Sequence, residues 1–271
     1  MKNNKYKILV LSDLKKSTSA TLKTAVSLAK MIDGEIEFFH VKKPIDIVEK
    51  ENQLSAIRTI NENHTLIRKK IEKLVKSISE EYDLEIRHSF TFGNIKNEIS
   101  KHIQSVKPDI IVLGKKSNNS ISLVGDNLTN FVLSEHNGII LLASPKNSFE
   151  PNKELSLGVL NNSDKSFSLD FAQNLIEHTQ KPLKSFKILS KSEVLNKTNE
   201  SLVNNNNNTL EYVFEESDNS LKTMSNYLSK NNINLLCFDR DGKANNNSTK
   251  TNIKEVIKNL NVSLLLTTKQ N

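Results

Sequence analysis

With 271 residues, the chain is long for one compact domain and has room for two of about 130 residues each. Apolar residues make up 36% of it, enough for a core, yet no run approaches the roughly 18–20 consecutive apolar residues of a membrane-spanning helix. The formal charge of +7 comes from lysines scattered along the chain, which argues for a solvated surface over a nucleic-acid site, and a single cysteine excludes a disulfide framework or a cysteine-based zinc site.

Residues 1–7 lead straight into a strand-like run, with no apolar h-region and no small-residue cleavage site. No signal peptide is expected, and the setting is read as cytoplasmic and reducing. Residues 7–11 form an apolar run of strand length. Ser17 and Thr18 are good N-caps, and Leu22, Val26, Ala29 and Met31 recur at helical spacing up to Gly34, a natural stop. Residues 35–41 read as a second strand. Ile57, Ile60, Ile67, Ile71, Leu74 and Ile78 mark a long helix, and residues 84–90 a third strand. Ile95, Ile99 and Ile103 predict a helix ended by Pro108, followed by the wholly apolar strand 109–113. A short helix around Leu128–Leu133 and a fifth strand at 138–143, closed by Pro145, complete the half. Apolar runs without alternation, separated by helices, predict a parallel sheet covered on both faces.

Residues 144–153, with Pro145 and Pro151, read as a linker. The pattern then restarts: strands at 155–160, 183–189, 209–214, 234–238 and 262–266, with helical faces carried by Phe171/Leu175/Ile176, Leu221/Met224/Tyr227/Leu228 and Ile253/Val256/Ile257/Leu260. The asparagine run 204–208 is read as an exposed loop. Cys237, inside the fourth of these strands, is read as a core residue. The expected organisation is two α/β domains, 1–147 and 152–271, from duplication of a whole domain.

The opening Ile8-Leu-Val-Leu-Ser-Asp13, a Ser/Thr-rich cap, a helix ending Leu28-Ala-Lys30, then Gly34 and a strand ending His40-Val41 resemble the universal stress protein family. The resemblance continues at Pro108-Asp-Ile-Ile-Val-Leu-Gly114 and at Val132-Leu133. It covers the first half closely and the second by element order. It implies five-stranded parallel sheets of the adenine nucleotide α-hydrolase-like type, order 3-2-1-4-5, in each half. It also implies a pseudo-dimer within the chain, with 138–143 and 262–266 side by side. Open sheets of this kind bind ligands at the carboxyl ends of strands where strand order reverses, and Asp13 and Gly114 stand at those ends.

Many family members carry a signature after the fourth strand: Gly, two residues, Gly, nine residues, Gly, then Ser or Thr. Such glycines let backbone N–H groups approach phosphate. Here Gly114 is present, Ser117 replaces the second Gly, and Asp126-Asn127 fall where the Gly-Ser/Thr pair belongs. The resemblance implies a site for ATP or another adenine nucleotide, with magnesium only alongside it. Asp13 and the Val41 backbone would hold adenine and ribose. Gly114, Ser117 and Asn127 would lie near the phosphates, with Lys115, Lys116 and Asn118 as suitable neighbours. The alternative is that Asp13 satisfies local N–H groups, Gly114 permits a tight turn, and 117–122 is a loop without a ligand. In the second half, Asn162 falls opposite Asp13 and Asp239 opposite Gly114. Asp239-Arg-Asp241 then puts carboxylates, and 245–247 asparagines, where the phosphate loop would be, so no phosphate binding is expected there.

Other chemistry finds no footing. The six histidines form no metal-binding pair. There is no Gly-x-Ser-x-Gly, no Walker A motif and no Gly-x-Gly-x-x-Gly. A phosphorelay receiver would need an Asp after strand three, where Thr91-Phe-Gly93 stands. The resemblance implies a stress-response regulator working through binding, with slow ATP hydrolysis a weaker option. Its counterpart is a ligand-free protein-interaction module of the same fold. Protein partners are unspecified, the main pairing is internal with a homodimer as a further option, and no membrane is involved.

Overall fold

The computed structural model describes residues 6–43, 53–115, 123–145, 149–161, 170–191, 209–240 and 252–267. In the first half the elements are β1 (Tyr6–Ser12), α1 (Thr18–Ile32), β2 (Gly34–Lys42), α2 (Gln53–Tyr82), β3 (Ile86–Phe92), α3 (Ile95–Val106), β4 (Ile110–Gly114), α4 (Leu123–Glu135) and β5 (Ile139–Ala143). The second half has β6 (Leu157–Leu160), α5 (Asp170–His178), β7 (Leu183–Leu189), β8 (Thr209–Glu215), α6 (Ser220–Lys230), β9 (Leu235–Asp239), α7 (Ile253–Asn259) and β10 (Ser263–Thr267).

All ten strands join one sheet, in the order β3-β2-β1-β4-β5-β10-β9-β6-β7-β8. Within each half every pairing is parallel and the order is the expected one. The halves meet where β5 and β10 pair antiparallel, Leu142 with Leu264, Leu141 with Leu265 and Ile140 with Leu266. The two strands predicted to lie side by side do so, and the two sheets continue as one.

The apolar runs are explained by two cores. One lies under α1, α2 and α5 and includes Leu22, Ile71, Val75, Phe171 and Leu175. The other lies under α3, α4, α6 and α7 and includes Ile99, Ile103, Val132, Met224, Leu228 and Val256. Both run through the two halves, so the halves share their apolar interior. At about 25 cal/mol per Å² of buried apolar surface, such a shared interior makes separation of the halves unfavourable. Phe149, inside the expected linker, is fully buried, and its carbonyl accepts from Ser27 Oγ of α1 at 2.9 Å. Cys237 is buried in the first core, and burial pushes its thiol up to about 12, so it stays an unreactive thiol. Among the described residues, no helix is long and apolar enough to cross a membrane.

One local expectation is corrected. Gly34 is not the helix stop. Asp33 takes the left-handed cap position of α1, with φ 55°, and its N–H donates to Ala29 O. Gly34 opens β2, where a Cβ would sit 2.7 Å from Ile8 Cδ1, so the glycine serves close packing instead.

Candidate functional site

A cavity of about 290 Å³ opens at the carboxyl ends of β1, β2 and β4, where the strand order reverses. Asp13, Val41 and Gly114, three of the residues singled out in the sequence, line it together. Ser117 lies outside the described residues, as do Lys116, Asn118, Asn162, Asp241 and the asparagine tracts 204–208 and 245–247. Asn127 falls within α4, but its side chain is outside the description, and that of Asp126 likewise.

The β1–α1 loop forms one wall. Leu14 holds a positive φ of 56°, an uncommon conformation for a branched residue. Three contacts hold it there: its N–H donates to Ser12 Oγ at 3.0 Å, its carbonyl accepts from Lys70 Nζ at 2.7 Å, and its side chain is buried in the core. Asp13, next to it, is exposed and lines the cavity. Asp13 Oδ1 accepts the Lys15 N–H at 3.0 Å, and Oδ2 lies 3.6 Å from Lys15 Nζ. The local turn role is thus real, and Asp13 also lines the cavity.

Hydroxyls supply the polar floor. Ser17 and Thr18 open α1, as expected of caps, but Ser17 makes no side-chain cap bond. Thr18 Oγ1 is 3.0 Å from Ser12 Oγ, and Thr21 Oγ1 donates to Ser17 O at 3.0 Å. Sequence reasoning missed Ser12 and Thr21 as cavity residues. The spacing Ser17, Thr18, Thr21 groups three hydroxyls at the start of α1, but only the packing of α1 on β1 and β4 brings them to the cavity.

Gly114 closes the opposite side. It sits in a strand without a positive φ, so it is not there to allow a tight turn. A Cβ on it would lie 2.8 Å from Thr21 Oγ1, so the glycine lets α1 approach the tip of β4. Val41 lies one residue past the last β1–β2 pair, Ser12 with His40. His40 is buried, and desolvation holds its imidazole below the ordinary value despite the Ser12 carbonyl, which accepts from Nδ1 at 2.8 Å. Phe39, Ile95, Ile99, Leu113 and Leu128 give the cavity an apolar side. Among the described residues, Lys15, Lys42 and Lys43 also line the cavity, and Asp13 is the one carboxylate that does. An apolar slot with hydroxyls and lysines suits a flat, anionic ligand.

Lys115, expected beside a phosphate, is placed elsewhere. It does not line the cavity; its side chain is 8% exposed, and Nζ donates to the carbonyl of Leu260 in the second half. Burial lowers its ammonium to about 8. Among the described residues no group of three His, Cys, Asp or Glu side chains could hold a metal ion.

The corresponding place in the second half is built differently. The registers Leu11–Phe39 and Leu160–Phe186 make Asn161 the counterpart of Ser12 and Ile188 that of Val41. Asn161 Oδ1 accepts the Ile188 N–H at 3.0 Å, so the side chain engages the backbone position that Val41 presents in the first half.

Residues 6–134 match the model of the universal stress protein family. No curated protein matches the chain. Among solved structures, a universal stress protein from Archaeoglobus fulgidus DSM 4304 superposes with a TM-score of 0.62 at 13% identity, covering 97% of this chain and 98% of that one. A functionally unknown protein from Pseudomonas aeruginosa PAO1 superposes with a TM-score of 0.55 at 14% identity, covering 97% and 92%. At these identities the likeness shows the fold, and it extends over both halves.

Proposed function

We propose, from the match of residues 6–134 to the universal stress protein family, that the protein is a stress-response regulator that binds one adenine nucleotide in the first-half cavity. The observation that carries this reading is the meeting of Asp13, Val41 and Gly114 in one cavity at the switch point, which Lys15, Lys42 and Lys43 also line. The apolar slot takes the base, Asp13 takes ribose hydroxyls, and the lysines with the α1 hydroxyls take phosphate. Lys115 is left out of this set. Ser117 and Asn127 remain proposed phosphate neighbours by their place in the sequence.

The occupied Ile188 N–H supports one site per chain rather than two. Calorimetric titration of ATP, ADP and AMP with magnesium into wild type and Asp13→Ala tests the reading. Binding at a stoichiometry near one per chain, lost in the variant, is the expected result. Absence of heat with every nucleotide would overturn it.

A second reading has its own support. Gly114 is required by Thr21 whether or not a ligand binds, and the nearest lysine of the loop is spent on the second half. On that reading the fold persists as a ligand-free protein-interaction module. In either case the proposed domain limits are 1–147 and 152–271, and the site for unidentified protein partners is separate from the internal β5–β10 junction.

A further inference from the structure

Lys115 and Arg240 hold equivalent places, one residue past β4 and one past β9. Their backbones behave alike: Lys115 N donates to Ala143 O at 2.7 Å, and Arg240 N to Thr267 O at 3.0 Å. Their side chains also behave alike, and both cross the junction. Lys115 Nζ donates to the carbonyl of Leu260, the cap residue of α7. Arg240 Nη2 donates to His136 O at 2.7 Å and Nη1 to Leu133 O at 3.4 Å, at the end of α4. Each half therefore places a cation on the carboxyl end of the other half's last helix, where the helix dipole favours it. Ser144 adds a tie beside Lys115, its N–H donating to Ser263 Oγ at 3.1 Å and its hydroxyl to Asn261 O at 2.9 Å.

The two caps differ in strength. Arg240 spans two carbonyls with a planar fork. Lys115 is a buried ammonium resting on one carbonyl among the described residues. A buried cation with so little compensation holds its place only while its surroundings are fixed. Its chain neighbour Gly114 lines the cavity and is locked against Thr21. Cavity wall, strand tip and the end of α7 are thus joined through two consecutive residues.

We propose that Lys115 couples the tip of β4 at the first-half cavity to the last helix of the second half, so that the second half responds to what the cavity holds. The nature of the signal rests on the nucleotide reading above; the link itself does not. Lys115 acts as a positioning residue. A group pressing on Gly114 moves the Lys115 backbone, and the ammonium then keeps or loses the Leu260 carbonyl.

Hydrogen exchange on the full chain tests this. The Leu260 N–H, bonded to Val256 O at 3.1 Å, reports on the end of α7. Lys115→Gln is expected to speed its exchange about tenfold or more, the scale of a lost hydrogen bond to a charged group. Ile78→Val, a core truncation in the same half, is expected to leave it unchanged. Gly114→Ala should also speed it, with no further effect when Lys115→Gln is present. Saturating magnesium ATP should shift the same amide in wild type but not in Lys115→Gln. Unchanged Leu260 exchange in Lys115→Gln, or an equal change in Ile78→Val, overturns the coupling. So do multiplicative effects of Gly114→Ala and Lys115→Gln, or ATP that binds by calorimetry and leaves Leu260 untouched. If no ATP binds while the first three results hold, the nucleotide reading falls and the coupling stands.

Discussion

Leu141 of β5 and Leu265 of β10 lie opposite one another in the antiparallel pairing that joins the halves, with Leu142–Leu264 and Ile140–Leu266 as its flanks. The flanks exchange roles under a two-fold rotation, which makes the Leu141–Leu265 pair the centre of the pseudo-symmetry. Ile140 and Leu266 face the core under α3, α4, α6 and α7, whereas Cys237 faces the other. A Cys pair at 140 and 266 therefore avoids the native thiol. The chain carrying Ile140→Cys and Leu266→Cys is expected to oxidise within itself, running as a monomer on a non-reducing gel at every protein concentration. Cross-links found only between chains would place the partner strand in a second molecule.

The approach of α1 to β4 predicts the behaviour of Gly114. An added Cβ would lie 2.8 Å from Thr21 Oγ1, closer than real side chains pack. Gly114→Ala should cost about 1–3 kcal/mol, the range for overpacking a filled interior. Because the strain is steric and φ is not positive there, Thr21→Ala in the same chain should restore much of the loss. Urea unfolding of the two single variants and the double variant measures the coupling. Additive losses would show that the glycine is needed for some other reason.

The strands were legible because a central parallel strand is apolar on both faces, as residues 7–11 and 109–113 are. Asp13 and Gly114 were legible as strand ends at the reversal of strand order, and Val41 through the resemblance carried by His40-Val41. Three features were not. Asp33 and Gly34 stand side by side, and only packing against Ile8 decides that Gly34 belongs to the strand and Asp33 takes the left-handed cap. Ser17 and Thr18 look like caps, while the cavity uses of Ser12 and Thr21 depend on how α1 lies on β1 and β4. Lys115 next to a glycine reads as a phosphate ligand, since nothing local shows that a helix of the other half will cover it.

Two histidines set an acid limit. His40 and His136 are both buried, and desolvation lowers each below its ordinary value of 6.5. The unfolded chain takes up these protons first as pH falls. Their contribution is therefore fully present above about pH 6.5 and is lost as pH falls through the lower folded values. Stability should drop between pH 7 and pH 5 by up to about 1.4 kcal/mol per pH unit for each group. Denaturation midpoints of wild type and of His40→Gln/His136→Gln across this range check it. A drop of equal slope in the double variant would assign the effect to other groups.

Lys115 sets the opposite trend on the alkaline side. Burial lowers its ammonium from the ordinary 10.5 to about 8, so above pH 8 the folded chain gives up a proton that the unfolded chain keeps. The sign follows: the cost of burying the charge is complete below about pH 8 and is relieved as pH rises toward 10.5. Wild type should thus gain stability from pH 7.5 to 9.5, at no more than about 1.4 kcal/mol per pH unit. Tyr227, pushed up to about 12 by burial, stays protonated in the folded state over that interval and adds little slope below pH 9.5. Lys115→Met removes the titration and should flatten the profile. It should also be the more stable chain at pH 7.5 if desolvation outweighs the bond to Leu260. A variant less stable at every pH, with the slope retained, would mean that the ammonium is better solvated than its 8% exposure implies. The cap on α7 would then be a surface contact, and the second half would lose its connection to the cavity.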